Sequence, residues 1–117
     1  DEDAAYSYDA AVNFADVDAG DGATYTATLA NDSALPSWLT ITSAGVLSGT
    51  PLNANVGSID VKVTRTDTDG LSVNDTYTLT IANTNDAPTV STAIADASTD
   101  EDAAYSYDAA VNFADVD

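Results

Sequence analysis

Twenty carboxylates, two basic residues and no histidine or cysteine define what the side chains of this 117-residue chain can do. Without His or Cys the usual nucleophile–base pairs and the commoner zinc sites are absent. No glycine-rich phosphate loop is present. Paired carboxylates could in principle hydrolyse glycosides. Here, however, the acids gather at turns and segment ends rather than along a cleft with aromatic walls, so no catalysis is expected. Hard oxygen ligands in number suit calcium, which takes about six to eight of them. They fall in four groups: Asp1-Glu2-Asp3, Asp16-Val17-Asp18-Ala19-Gly20-Asp21, Asp67-Thr68-Asp69-Gly70 and Asn83-Thr84-Asn85-Asp86. The Asp16 segment is not an EF-hand loop: its twelfth position is Ala27, where a bidentate Glu is required.

The net charge of −18 repels a phosphate backbone, so nucleic acid is excluded as a partner. Solubility or a salty medium would also select such acidity; the clustering of the acids argues for cation binding as well. Hydrophobic residues make up 44% of the chain, too many for a disordered acidic tail. No apolar run approaches the length of a membrane span, so no membrane insertion is expected. A secreted domain without disulfides needs another brace, and bound metal is one candidate.

The elements that must hold these acids follow from a repeat and a period. Asp1 to Asp18 reads DEDAAYSYDAAVNFADVD, and Asp100 to Asp117 reads the same without one difference. The offset of 99 residues is long for a solenoid unit and right for a whole β-sandwich. The dominant period is two. Tyr6, Tyr8, Ala10, Val12 and Phe14 predict one half-buried strand; Ala23, Tyr25, Ala27 and Leu29 predict another. Ile59, Val61 and Val63 predict a third, and Leu71, Val73, Tyr77, Leu79 and Ile81 a fourth, with Asp75 breaking parity at a bulge or strand edge. Asp67-Thr68-Asp69-Gly70 between these two reads as a tight hairpin. Leu39, Ile41 and Leu47 supply short strands between bends at Pro36 and at Gly49-Thr50-Pro51. Val90 to Ala97 is a weaker strand. Trp38 reads as a core or core-edge aromatic, with sugar stacking as the alternative. No segment carries helical spacing, so the expectation is an all-β, immunoglobulin/cadherin-like antiparallel sandwich of about seven strands.

The motifs resemble the cadherin-like repeats of large bacterial surface or secreted proteins, especially the dystroglycan-type group. Leu35-Pro36-Ser37-Trp38-Leu39 and Leu47-Ser48-Gly49-Thr50-Pro51 are similar to its LPxWL…LSGTP signature. Phe14-Ala15-Asp16-Val17-Asp18 resembles its Asp-x-Asp segment, and Val63 to Gly70 its later strand with a metal-binding Asp. Asn83-Thr84-Asn85-Asp86-Ala87-Pro88 resembles the linker DxNDNAP, with Asn83 in place of the first Asp and no Asn before Ala-Pro. The resemblance implies calcium at the junction between consecutive repeats. One junction would use Glu2, Asn85 and Asp86 with Asp115 and Asp117 of the next repeat. Glu101, the copy of Glu2, would serve the following repeat, and Asp16, Asp18 and Asp67 would form one side of the preceding junction. Acids at both ends of a rod repel across each joint, and a divalent cation turns that repulsion into a bridge.

In this register, residues 1–86 form a sandwich without its own leading strand, and residues 87–117 supply the leading and second strands of the next repeat. That predicts an open edge or groove which a neighbouring chain's tail could fill by strand exchange. The expected role is a calcium-stiffened structural or adhesive repeat of a large bacterial extracellular protein, secreted or at the cell surface. Its partners would be neighbouring copies of the same repeat and a polysaccharide or cell-surface ligand. A carbohydrate-binding module and a subunit of a head-to-tail filament are the rival readings.

Overall fold

The computed structural model describes residues 1–17 and 22–117, and every regular element in them is a short 3-10 turn or an antiparallel strand. They fall into two compact units, Asp1–Thr84 and Asn85–Asp117.

The first unit is a sandwich of two three-stranded sheets. Strand β1 (Tyr6–Asp9), β3 (Leu39–Ile41) and β4 (Val46–Gly49) form one sheet in the order β1-β4-β3. Strands β2 (Ala23–Leu29), β5 (Gly57–Asp67) and β6 (Ser72–Ile81) form the other in the order β2-β5-β6. Between them lie Ala10, Leu39 and Leu47 from the first side and Val61 and Val63 from the second, all buried. Leu47 and Val61 are fully enclosed, and burying each such side chain contributes about 1.5–3 kcal/mol. Tyr6, Phe14, Tyr25, Leu35, Trp38, Ile59, Tyr77 and Leu79 pack around this centre.

The period-two segments from 23 to 29 and from 59 to 63 lie in strands as expected, with Val61 and Val63 turned inward. Asp75 stands opposite Val63 in regular register on β6, which is a sheet edge; the ladder there has no bulge. The hairpin at residues 67–70 forms, closed by Asp67 N–H to the Leu71 carbonyl at 2.9 Å, with Gly70 at φ +87°.

Two expectations are corrected. The strand predicted through Phe14 stops at Asp9, and Ala10–Asn13 is a 3-10 turn. The Asp9 carboxylate accepts from Ala11 N–H at 3.0 Å, a local cap that competes with continuing the ladder. The strand predicted over Val90 to Ala97 shrinks to Thr89–Val90. Only Val90 and Ile94 are large and apolar in it, too little apolar surface to hold a longer ladder.

The second unit pairs β7 (Thr89–Val90) antiparallel with β8 (Phe113–Ala114). A 3-10 turn, Ala109–Asn112, precedes β8. Asn112 is buried, and its side-chain amide donates to the carbonyls of Thr92 (2.9 Å) and Ala93 (3.4 Å). The N–H groups of Ser91 and Thr92 in turn point to the Asn112 carbonyl, at 2.9 and 3.3 Å.

The two identical eighteen-residue segments make an internal control. Their 3-10 turns share backbone angles at the cap, φ −89° and ψ 99° at Asp9 against −88° and 98° at Asp108. Asp108 accepts from Ala110 N–H at 3.0 Å as Asp9 does from Ala11. Tyr8 donates to Asn13 Oδ1, and Tyr107 to Asn112 Oδ1. Asp3 and Asp102 both take positive φ, 56° and 61°. The strand differs: Tyr6–Asp9 is extended against β4, whereas 105–108 has no strand. Local chemistry sets the turn and its cap, and a ladder partner makes the strand.

Candidate functional site

Glu2 is the most unusual carboxylate among the described residues. Its backbone is tied by Glu2 N–H to the Ala82 carbonyl (3.0 Å), and Asp3 N–H reaches the Pro51 carbonyl (2.8 Å). These two bonds fix the segment before β1 beside the end of β6. The side chain is only 1% exposed. Oε1 accepts from Thr84 N–H at 2.6 Å, while Oε2 is buried without a hydrogen-bond partner among the described residues. A buried carboxylate oxygen left unsatisfied costs about 1–3 kcal/mol or more, and buried charges are ordinarily paired or bound to metal. Thr84 leads directly into Asn85-Asp86.

The remaining expected ligands fall out as follows. Asp16 accepts from Arg65 Nη1 at 2.7 Å, in an ion pair whose side chains are 19% and 12% exposed. That hydrogen bond, with a smaller one from Tyr25, holds the guanidinium still more firmly protonated against the opposing effect of desolvation. Asp18 lies outside the described residues. Asp67 Oδ1 accepts from Asp69 N–H (2.9 Å) and Leu71 N–H (2.8 Å), so this oxygen already closes the hairpin. Within the second unit, Asp86 N–H donates to the Asp117 carboxylate, and Asp117 N–H to Asp115 Oδ1 at 3.2 Å. Three of the expected ligands, Asp86, Asp115 and Asp117, are therefore brought together there. Asn85, beside them in sequence, donates from Nδ2 to the Asp86 carbonyl at 2.7 Å. Glu101 is exposed, unlike its twin Glu2.

Two features escaped the sequence reading. One is the Arg65–Asp16 pair, which joins residues 49 apart and leaves no local signal. The other is a groove of about 350 Å³ lined by residues of β1, β6 and the turn after β1, among them Tyr6, Tyr8, Asn13, Phe14, Asp75 and Tyr77. It opens where each sheet presents an edge strand. Tyr6 and Tyr77 share a hydroxyl–hydroxyl contact of 3.1 Å, and the Tyr8 and Tyr77 rings stand 6.1 Å apart. Burial, then the Tyr6 contact, pushes the Tyr77 hydroxyl above the ordinary tyrosine range. The alternation of Tyr6 and Tyr8 with polar residues was visible in the sequence; that this face would stay half-open was not.

Trp38 is half-buried against the core. Gly49, on the central strand, lies beneath it, since a Cβ there would stand 1.8 Å from the Trp38 carbonyl oxygen. No helix among the described residues is long and apolar enough to cross a membrane.

A family model described as "Putative Ig domain" matches residues 1–82. No curated protein matches the chain.

Proposed function

The chain belongs to this Ig domain family, and on that premise we propose that it is a calcium-stiffened structural or adhesive repeat of a large bacterial extracellular protein. The observation that carries the reading is Glu2. Its carboxylate is anchored by Thr84 N–H and buried, and it keeps one oxygen without a donor among the described residues. An oxygen in that state fits a hard cation. Asn85 and Asp86 follow Thr84 in sequence, and the second unit gathers Asp86 with Asp115 and Asp117, a donor set of carboxylate and amide oxygens suited to calcium over softer metals. The motif resemblance to cadherin-like repeats supports the same assignment. Calcium there would neutralise like charges that otherwise repel along an array, and so resist bending between repeats. The protein's own part is to hold Glu2 in place and to exclude water from it.

Thermal melts at fixed ionic strength with calcium, magnesium or chelator test this. Ligand that binds only the native state raises stability by about 2.7 kcal/mol at a hundredfold excess over Kd. In a domain of this size that moves the midpoint by about 10–20 °C. Glu2→Gln keeps the acceptor for Thr84 and removes the charge, so its calcium and chelator curves should converge, while Asp9→Ala should respond as the parent does. Coincident calcium and chelator midpoints for the parent chain would end the proposal.

A further inference from the structure

We propose that the seat on the edge of β4 is shared: residues 100–117 of one molecule take the place of residues 1–18 on a second copy of this chain, carrying residues 89–99 into the tyrosine groove. The inference rests on the chain's being a repeat unit and is independent of calcium.

The two segments are identical at all eighteen positions, so every contact made by one can be made by the other. In the first unit the seat is defined by Tyr6 opposite Gly49, Ser7 opposite Ser48, Tyr8 opposite Leu47 and Asp9 opposite Val46, with Ala10 buried in the core. This ladder is only four residues long and lies at a sheet edge, which makes it one of the easier strands of the sandwich to release. The second copy already carries the same capped turn, the same Tyr–Asn hydrogen bond and the same positive φ. Little further ordering is needed for it to dock, which lowers the cost of association. Its apolar side chains are uncovered: Tyr105, Tyr107 and Phe113 are 58%, 49% and 50% exposed. Their twins Tyr6 and Phe14 pack against the core.

The second unit also shows what the incoming segment brings with it. Residues 89–93 are clasped to the twin of Asn13 through the Asn112 hydrogen bonds and the β7–β8 pair. Asn13 lines the groove. Matching the two turns therefore sets residues 89–93 at the Asn13 end of that groove. From there the chain must reach Asp100 at the place of Asp1, whose neighbour Glu2 bonds the Ala82 carbonyl. Residues 93 to 100 extend about 23 Å, as do residues 75 to 82 along the free edge of β6. The incoming segment thus matches the groove in length and runs parallel to β6, with exposed Ile94 available to fill it.

The occupant comes from another molecule. A chain doubling back from Thr84 to the level of Asp75 and returning to the Asp1 position covers about 53 Å before any turn is counted. The sixteen Cα steps from Thr84 to Asp100 reach about 53–58 Å fully extended, which leaves at most about 5 Å for the reversal and disfavours closure within one chain. In a tandem array the neighbour is tethered, and effective concentrations near the millimolar range favour the exchange.

The chain has no cysteine, so an engineered pair reports without interference. Ser7→Cys with Ser48→Cys tests that the seat folds and cross-links. Ser106→Cys with Ser48→Cys, concentrated, warmed and mildly oxidised, should then give a 48–106 disulfide within covalent dimers and longer ladders, in chelator as in calcium. Tyr105→Ser with Tyr107→Ser should abolish the ladders, and a free peptide of sequence 1–18 should reduce them. Formation of the ladder in chelator would stand even if calcium binding failed. Free thiols in a chain that stays monomeric, a 48–106 link confined to monomers, only 106–106 links, or an oligosaccharide filling the groove of a persistent monomer would each overturn the proposal.

Discussion

Gly49→Ala probes the sheet at its tightest point. Gly49 is on the central strand β4, paired with Tyr6 of β1 on one side and Leu39 of β3 on the other. An added Cβ would lie 1.8 Å from the Trp38 carbonyl oxygen, 2.9 Å from the Trp38 carbonyl carbon and 3.1 Å from its Cε3. Relieving the first contact requires a movement of about 1.5 Å against ordinary non-bonded separation. The obstacle is backbone, not the tip of a flexible side chain. β4 cannot retreat, because it is laddered on both sides, and Trp38 cannot, because Leu39 beside it is buried in the core. Overpacking in a dense interior costs about 1–3 kcal/mol and more where backbone must move, so a loss of about 3 kcal/mol or more is expected. For a domain of 60–100 residues that lowers the melting temperature by about 12–24 °C. Urea unfolding followed by Trp38 fluorescence gives the same quantity as a shift in midpoint at unchanged slope. A variant melting within about 3 °C of the parent would refute the packing argument and with it the reason given for glycine in Leu47-Ser48-Gly49-Thr50-Pro51.

Trp38→Ala should cost about 3 kcal/mol by chemical denaturation, since its ring packs on the core from a half-buried position; normal stability together with lost polysaccharide binding would instead favour a sugar platform. The folded pKa of Tyr77 is raised, so the native state keeps a proton that the unfolded chain releases. That contribution is fully present below the unfolded value of about 10 and is lost as pH rises through the folded value. Stability measured by urea unfolding from pH 8 upward should therefore fall beyond pH 10 more steeply in the parent than in Tyr77→Phe, and parallel profiles would contradict the assignment.

The sequence disclosed what depends on period and local chemistry. Val61 and Val63 announced an inward face, Asp67 to Gly70 a hairpin, and the eighteen-residue repeat a tandem unit. The end of β1 was hidden, because alternation continues through Phe14 while the Asp9 carboxylate redirects the backbone at Ala11. The candidate site was legible as a set of acids but not in its differences. Glu2 and Glu101 sit in identical eighteen-residue segments, yet one is buried and the other exposed. Long-range neighbours, the Ala82 carbonyl and the Thr84 amide, hold Glu2 in place. The motif resemblance implies Asp16 and Asp67 as ligands, and their hydrogen bonds also tie them to Arg65 and to the hairpin turn. No one-dimensional pattern reports a contact across 49 or 82 residues.

Isothermal titration calorimetry of calcium into the full chain, with Glu2→Gln and Asp9→Ala alongside, tests the central claim most directly. The account predicts saturable binding in the parent and in Asp9→Ala at physiological ionic strength, and a loss of at least one site or about tenfold in affinity in Glu2→Gln. Featureless heats that vanish with added salt and are the same in all three proteins would contradict it: the acidic groups would then be a solvated surface, and Glu2 a structural link to Thr84 alone.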